Sequence, residues 1–328
     1  MIAPRFWAQE RPGLAGLALA PLAALYGRAT ARRMARPGVR VSAAVVCVGN
    51  FVLGGAGKTP TAIALARLLQ AAGEQVAFLS RGYGGARRAE PTLVDPSIHD
   101  ARAVGDEPLL LARVAPCFVG ADRVASAREA IANGASALVL DDGLQNPALA
   151  KDLTFAVVDG EARFGNGLCF PAGPLRAPID RQLPFVSAEV LIGAAPLARL
   201  SHAKPLFRAR LEADAIVGAG LVGRPVLAFA GIARPEKFFA TLEALGAGVA
   251  SRRVFPDHHR FDPREIEAMV AEAAARGLTP VTTEKDHVRL TPAQRQAVVA
   301  LPVTLRFEAP DRVAQLLREA MAQRRREA

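Results

Sequence analysis

Aromatic residues make up only 5% of this 328-residue chain, and cysteine occurs three times, at Cys47, Cys117 and Cys169. Thiols so few and so scattered exclude a disulfide framework and a zinc site, and they fit a reducing, cytosol-facing compartment. Internal repeats are absent, as are low-complexity tracts beyond a bias to alanine. With 51% apolar and 22% charged residues, the chain is globular and not disordered. Its length allows two ordinary domains and a large buried core.

A full-length transmembrane run is also lacking. Between Arg11 and Arg28 lies "PGLAGLALAPLAALYG", uncharged but interrupted by Pro21 and shorter than the roughly 20 residues of a comfortable span. No signal-peptide cleavage site follows it. Residues 1–40 hold seven arginines against one acid, Glu10, and so carry much of the +10 net charge. This pattern predicts a helix lying in a membrane interface, with Trp7 and Tyr26 at headgroup depth and arginines on anionic lipid. The competing reading is a buried helix of the soluble core. The basic charge flanks an apolar segment without aromatic–basic interleaving, so nucleic acid is not the expected partner. No required protein partner is evident.

From Val41 to about Val186, near-continuous apolar strands alternate with helices, which predicts a parallel sheet covered on both faces. The strands expected are "VSAAVVCVG", "QVAFLS", "CFVG", "ALVLDD" and "LTFAVVD". A proline-rich passage, "CFPAGPLRAPIDRQLP", breaks the rhythm and is expected to wrap the sheet edge or the mouth of the site. A second α/β rhythm begins near Arg224. The expected fold is an α/β, P-loop NTPase-type parallel sheet flanked by helices, with a second, smaller α/β domain and an N-terminal interfacial helix. The expected units are 1–40 (membrane-associated helix), 41–204 (kinase-type domain), 205–224 (hinge) and 225–328 (second domain, its last helix packing back on the first).

The stretch "VVCVGNFVLGGAGKTPTAIALARLL" runs from a β-branched strand through a glycine-rich turn into a helix. Residues Val52, Leu53, Gly54, Gly55, Ala56, Gly57, Lys58 and Thr59 form the expected phosphate loop. Its glycines let backbone N–H groups converge where a Cβ would clash. Lys58 reaches the β- and γ-phosphates, the Thr59 hydroxyl holds Mg²⁺, and the helix directs its positive end at the anion. Val52 stands where the strict pattern has glycine, and Leu53 where one ATPase branch has an extra lysine. In "ALVLDDGLQN" the strand ends in Asp141 and Asp142, either of which could bind Mg²⁺ directly or through water. No N-K-x-D tetrapeptide occurs, so the expected base is adenine and the nucleotide ATP.

A phosphate loop alone does not separate a kinase from an ATPase or a switch. Four stretches bear on that choice: "SRGYGG" with Arg81 and Tyr83, "GDEP" with Asp106 and Glu107, "FPDHHRF" with Asp257, His258 and His259, and "TTEKDHVRL". Taken with "VGNFVLGGAGKTP", "DDGLQN" and "NGLCFPAGPLRAP", and in this order along nearly the whole chain, they resemble the tetraacyldisaccharide 4′-kinase (lipid A 4′-kinase) family. The resemblance implies transfer of the ATP γ-phosphate to the 4′-hydroxyl of a tetraacylated glucosamine disaccharide 1-phosphate in lipopolysaccharide synthesis. It implies attachment, peripheral or through the N-terminus, to the cytoplasmic face of the bacterial inner membrane. Asp106 is the expected general base, His258 its orienting partner, and Arg81, Tyr83, Glu107 and Gln145 are expected to face the acceptor. Asn146 and Ala177 depart from the family's His and Glu. Rival readings are a kinase of a soluble acceptor and a membrane-associated P-loop ATPase or switch.

Overall fold

Runs of apolar residues form the central strands, and most strands end where glycine or an acid enters the sequence. In the computed structural model, which describes residues 4–9, 11–86, 90–193 and 204–327, the strands are β1 (Ala44–Gly49), β2 (Val76–Ser80), β3 (Thr92–Leu93), β4 (Cys117–Val119), β5 (Ala137–Asp141), β6 (Leu153–Asp159), β7 (Ala188–Ile192), β8 (Leu206–Ala213), β9 (Pro225–Ala230), β10 (Gly248–Val254), β11 (Thr279–Thr283), β12 (Val299–Leu301) and β13 (Val303–Phe307). Among the described residues they make two sheets. One has nine strands in the order β13-β8-β7-β6-β1-β5-β2-β4-β3, and the other four in the order β10-β9-β11-β12. Pairing is parallel throughout, except at the two ends of the large sheet, where β13 runs against β8 and β3 against β4.

The large sheet is buried on both faces, as its central strands require. Every residue of β1, β2, β5, β6 and β7 is buried. Val46 and Val48 of β1 join one core with Leu65 and Leu69 of helix α2 (Lys58–Ala71) and with Val313, Leu317 and Met321 of the C-terminal helix (Pro310–Glu327). Val45 and Cys47, pointing the other way, pack with Ala127 and Ala130 of the helix Arg123–Ala132. The small sheet is sandwiched likewise, between Phe238, Phe239 and Leu242 on one side and Ile266, Met269 and Ala273 on the other.

The interval 205–224, expected as a hinge, contains β8, which is hydrogen-bonded to β7 inside the large sheet. The chain leaves for the small sheet after β8 and comes back with β13 and the C-terminal helix. Residues 194–203, the end of the expected first unit, lie outside the described residues. The two sheets meet where the strands of the large one end, which is where parallel α/β sheets place their ligands.

Helix α1 (Leu14–Met34) carries Pro21 within it and is long and apolar enough to cross a bilayer, with 22% of that window buried. Its inner face, Ala23, Gly27, Thr30 and Met34, is buried, much of it against the proline-rich passage; its outer face leaves Leu14, Leu17, Leu22 and Leu25 in solvent. At Gly27 an added Cβ would stand 2.9 Å from Cys169 Sγ and 3.1 Å from Pro178 Cδ. Gly27→Val should therefore cost about 1–3 kcal/mol through overpacking, read as a lower denaturant midpoint; an unchanged midpoint would mean that α1 does not rest on this passage.

Candidate active site

The turn after β1 is shaped by its contacts with the proline-rich passage. Leu53 N donates to Pro174 O at 2.7 Å, Arg176 N to Phe51 O at 2.9 Å and Arg176 Nε to Val52 O at 2.9 Å. Val52 forms an antiparallel bridge with Leu175. That bridge explains why valine serves where the strict pattern has glycine, because extended backbone needs no missing Cβ. Further along, Gly57 takes φ +85°, and a Cβ there would come 2.5 Å from Ile192 Cδ1. Lys58 then opens α2, with Pro60 in the first turn, where its missing N–H is no loss.

Lys58 folds back over the loop, donating to Gly54 O at 3.2 Å, with Asp142 Oδ1 at 3.8 Å. The Thr59 hydroxyl donates to Asp141 Oδ2 at 2.9 Å. Oδ1 of Asp141 is buried with no hydrogen-bond partner. Burial, and next the negative charge of Glu107, push the Asp141 carboxyl up to about 7. Asp142 sits in the left-handed region at φ +59°, an easy conformation for aspartate. Burial works to raise its pKa, but Lys58 and Arg176, the latter 3.0 Å away, bring it down to about 2. Among the described residues no three His, Cys, Asp or Glu side chains form a metal cage. The Thr59 hydroxyl and the carboxylates of Asp141 and Asp142, one oxygen orphaned, are a set of oxygen donors that could hold an ion completed by phosphate and water.

Behind this loop runs a buried relay of amides that the sequence did not reveal. Gln182 donates to Phe51 O and Ala177 O and accepts from Gln145 Nε2 at 2.8 Å. Gln145 also donates to Asn50 O and accepts from Arg176 Nη1. Gln145, expected to face the acceptor, is thus buried and occupied in orienting Arg176. The two departures from the family pattern are also accounted for locally. Ala177 is fully buried, and Asn146 Oδ1 closes a turn by accepting from Ala148 N.

A second cluster faces the first. Gly105 ends one helical turn and Asp106 begins the next, Asp106–Leu111. Asp106 Oδ1 accepts from Glu107 N at 2.9 Å. Its Oδ2 accepts from His258 Nδ1 at 3.0 Å, from Arg289 Nε at 2.8 Å, and from Arg289 Nη2. Burial alone would raise this carboxyl; the His258 hydrogen bond and the charges of Lys285 and Arg289 hold it well below the usual range instead. Lys285 Nζ donates to Glu107 Oε1 at 3.0 Å and lies 3.3 Å from His258 Nε2. Because lysine only donates, Nε2 accepts and Nδ1 carries the hydrogen given to Asp106. The exposed Tyr83 ring meets His258 edge-on, with centroids 5.0 Å apart. Tyr83, Arg102, Asp106, His258, Arg260 and Arg289 are among the residues lining an open cleft. Arg81 is exposed on the same loop as Tyr83, and its charge acts on Asp142.

A third junction closes the other flank. Asp159, at the end of β6, pairs with Arg234 at 2.6 Å and Lys237 at 2.7 Å, both from beyond β9. Ala233 Cβ would stand 3.2 Å from a Cβ on Gly55, so this turn lies directly against the phosphate loop. Arg176, Arg234, Lys237, Lys285 and Arg289 were not picked out beforehand. The one signal for the last two was "TTEKDHVRL", where a helical turn puts positions i and i+4 on one face.

A family model described as tetraacyldisaccharide-1-P 4′-kinase matches residues 15–322. The tetraacyldisaccharide 4′-kinase of Methylobacterium sp. (strain 4-46) is 56% identical over 328 residues, covering 98% of this chain and 97% of its own. That of Bradyrhizobium sp. (strain BTAi1) is 47% identical over 334 residues, covering 98% and 96%. The crystal structure of "apo" form LpxK from Aquifex aeolicus in complex with ATP superposes with a TM-score of 0.73 at 25% identity, over 94% of this chain and 100% of that one.

The loop geometry makes a direct demand on glycine at position 57. Gly57→Ala should strain the turn, push against Ile192 and weaken nucleotide binding at least about tenfold, roughly 1.4 kcal/mol, as read by titration with a fluorescent ATP analogue. Wild-type affinity would mean that the loop does not receive phosphate.

Proposed function

The chain belongs to the tetraacyldisaccharide-1-P 4′-kinase family, and from that premise we infer that it transfers the γ-phosphate of ATP to the 4′-hydroxyl of a tetraacylated glucosamine disaccharide 1-phosphate. One observation carries the reading to these residues: the turn after β9 touches both clusters, Ala233 standing against Gly55 of the loop while Gly231 O accepts from His258 N at 3.1 Å and from Arg289 Nη1 at 2.9 Å. The phosphate loop and the Asp106–His258 cluster therefore share one crevice, with donor on one wall and acceptor on the other.

Phosphoryl transfer asks for alignment and charge neutralisation more than for covalent chemistry. Lys58 and the loop amides hold the β- and γ-phosphates, and Lys58 gives up its contacts with Gly54 and Asp142 to do so. Thr59, Asp141 and Asp142 would hold a magnesium ion, whose contribution when bound is to neutralise charge on the phosphate oxygens. Asp106 receives the hydroxyl proton. A strongly acidic carboxyl suffices, because in a loose transition state the proton leaves late. His258 keeps Asp106 oriented, and Tyr83 offers the acceptor a flat apolar face.

The acceptor's lipid chains bring the enzyme to the bilayer, since each exposed CH₂ would cost about 0.8 kcal/mol. The outer leucines of α1 lie on one helical face, and the exposed Arg28 and Arg32 continue it. That face suits shallow insertion with arginines on anionic headgroups, at the cytoplasmic surface where ATP is available.

Incubation with γ-labelled ATP, Mg²⁺ and detergent-dispersed disaccharide 1-phosphate should label the lipid; label released only as inorganic phosphate would favour an ATPase. Asp106→Asn should leave ATP affinity unchanged and lower kcat about 10²-fold or more, and undiminished turnover would remove Asp106 from its role. Replacing Leu17, Leu22 and Leu25 together by Gln should reduce co-sedimentation with anionic vesicles about tenfold or more while leaving the melting profile intact.

A further inference from the structure

Binding of phosphate and proton transfer leave "TTEKDHVRL" without a task, yet it supplies Asp286, the most buried charge of the crevice. Thr283 caps a helical turn, Glu284–His287. Asp286, fully buried, accepts from Gly231 N at 3.0 Å and from the Thr283 hydroxyl at 2.6 Å, which ties it to the end of β9 and to its own turn. Its other oxygen accepts from Arg289 Nη1 at 2.7 Å, and that nitrogen donates also to Gly231 O. The remaining two donors of the guanidinium, Nε and Nη2, both close on Oδ2 of Asp106, 183 residues away in the chain. The side chains of Asp286, Arg289 and Asp106 are 0%, 6% and 4% exposed.

Oδ2 of Asp106 is therefore saturated by three donors, two from Arg289 and one from His258. Oδ1 has a single backbone donor and a free lone-pair direction. We propose that Arg289 is a positioning residue for Asp106: it carries the small-sheet scaffold across the crevice, occupies Oδ2, and leaves Oδ1 as the oxygen that meets the acceptor hydroxyl. This rests on the kinase reading above. In the step it serves, the hydroxyl O–H bond breaks and its proton goes to Oδ1. The acceptor oxygen bonds to the γ-phosphorus, and the bond from that phosphorus to the β–γ bridging oxygen breaks to release ADP.

The other charged or titratable groups around Asp106 are Glu107 on its own helix, His258 after β10 with Asp257 beside it, Lys285 after β11, and Tyr83, Arg102, His259 and Arg260 along the cleft. None of them replaces a planar fork anchored at its far end. A lysine at position 289 could reach one oxygen only.

The test compares wild type, Arg289→Gln, Arg289→Lys and Asp106→Asn in the labelled-ATP assay, with and without added guanidinium at tens of millimolar. Arg289→Gln should lower kcat about 10- to 100-fold with KM for ATP unchanged. Guanidinium should restore part of the loss in Arg289→Gln and none in Asp106→Asn, and Arg289→Lys should fall between. A readout independent of the acceptor is ¹³C NMR of the aspartate carboxyls, with Asp106 assigned by its disappearance in Asp106→Asn. The Asp106 signal should titrate at higher pH in Arg289→Gln than in wild type, by about one unit or more.

An unaltered kcat in Arg289→Gln overturns the proposal. So does a reduced kcat with no guanidinium rescue and an unmoved Asp106 titration, the pattern of a purely structural arginine. If Arg289→Gln shows no cooperative melt, Arg289→Lys decides on the same readouts. A wild-type enzyme that labels no lipid counts against the kinase reading instead, and the titration still judges Arg289.

Discussion

The arrangement of the site depends on a backbone turn after β1 that is held in place by the chain packed beside it. A glycine-rich loop left alone would spend most of its time elsewhere, since glycine loses more freedom on ordering than any other residue. Here the first half of the loop is fixed by cross-links to the proline-rich passage, through Leu53–Pro174, Phe51–Arg176 and Val52–Arg176. The second half is fixed by α2 and by Ile192. Glycine's freedom is retained only where the anion must approach.

Three aspartates in one crevice are then kept in different states by their surroundings alone. Asp141 is buried near Glu107 with one oxygen unpaired, and its carboxyl is pushed up to about 7. Asp142, one residue on, lies between Lys58 and Arg176 and falls to about 2. Asp106, against His258, Lys285 and Arg289, is likewise held well below the usual carboxylate range. Burial opposes ionisation in all three, so the difference comes from which cations each backbone position can reach. On the reading proposed above, this difference would separate a carboxylate suited to a cation from one suited to receiving a proton.

Much of this was legible in the sequence wherever the signal is local. Strands β1, β2, β5 and β6 read as apolar runs because both their faces are buried, and Lys58, Thr59, Asp141 and Asp142 declare themselves by spacing to a strand end. Strands β7, β8 and β10 did not, for a physical reason. Glu189 is buried within β7, while β8 ("LFRARLEA") and β10 ("GVASRRV") carry charges on half-exposed faces that blur the alternation. Nor can periodicity say that β13 rejoins the large sheet, since the choice of sheet is a tertiary matter. Arg176 and Arg289 were illegible as site residues because each acts on a partner far away in sequence, Asp142 and Asp106.

The N-terminal helix has two sides, and each bears on a different reading of its sequence. Taken as one object, an apolar stretch with Pro21 is either core or membrane-facing. As a cylinder it has two sides, and the small residues Ala23, Gly27 and Thr30 put one of them against Cys169 and Pro178 while leucines occupy the other. The passage it leans on is the same one that fixes the phosphate loop through Pro174 and Arg176. A helix that merely tethered the enzyme could be attached anywhere. On the reading proposed above, a helix seated on the loop's own clamp would hold the crevice at a set orientation to the surface its leucines meet, and an acceptor confined to that surface would be met by a cleft that cannot turn away.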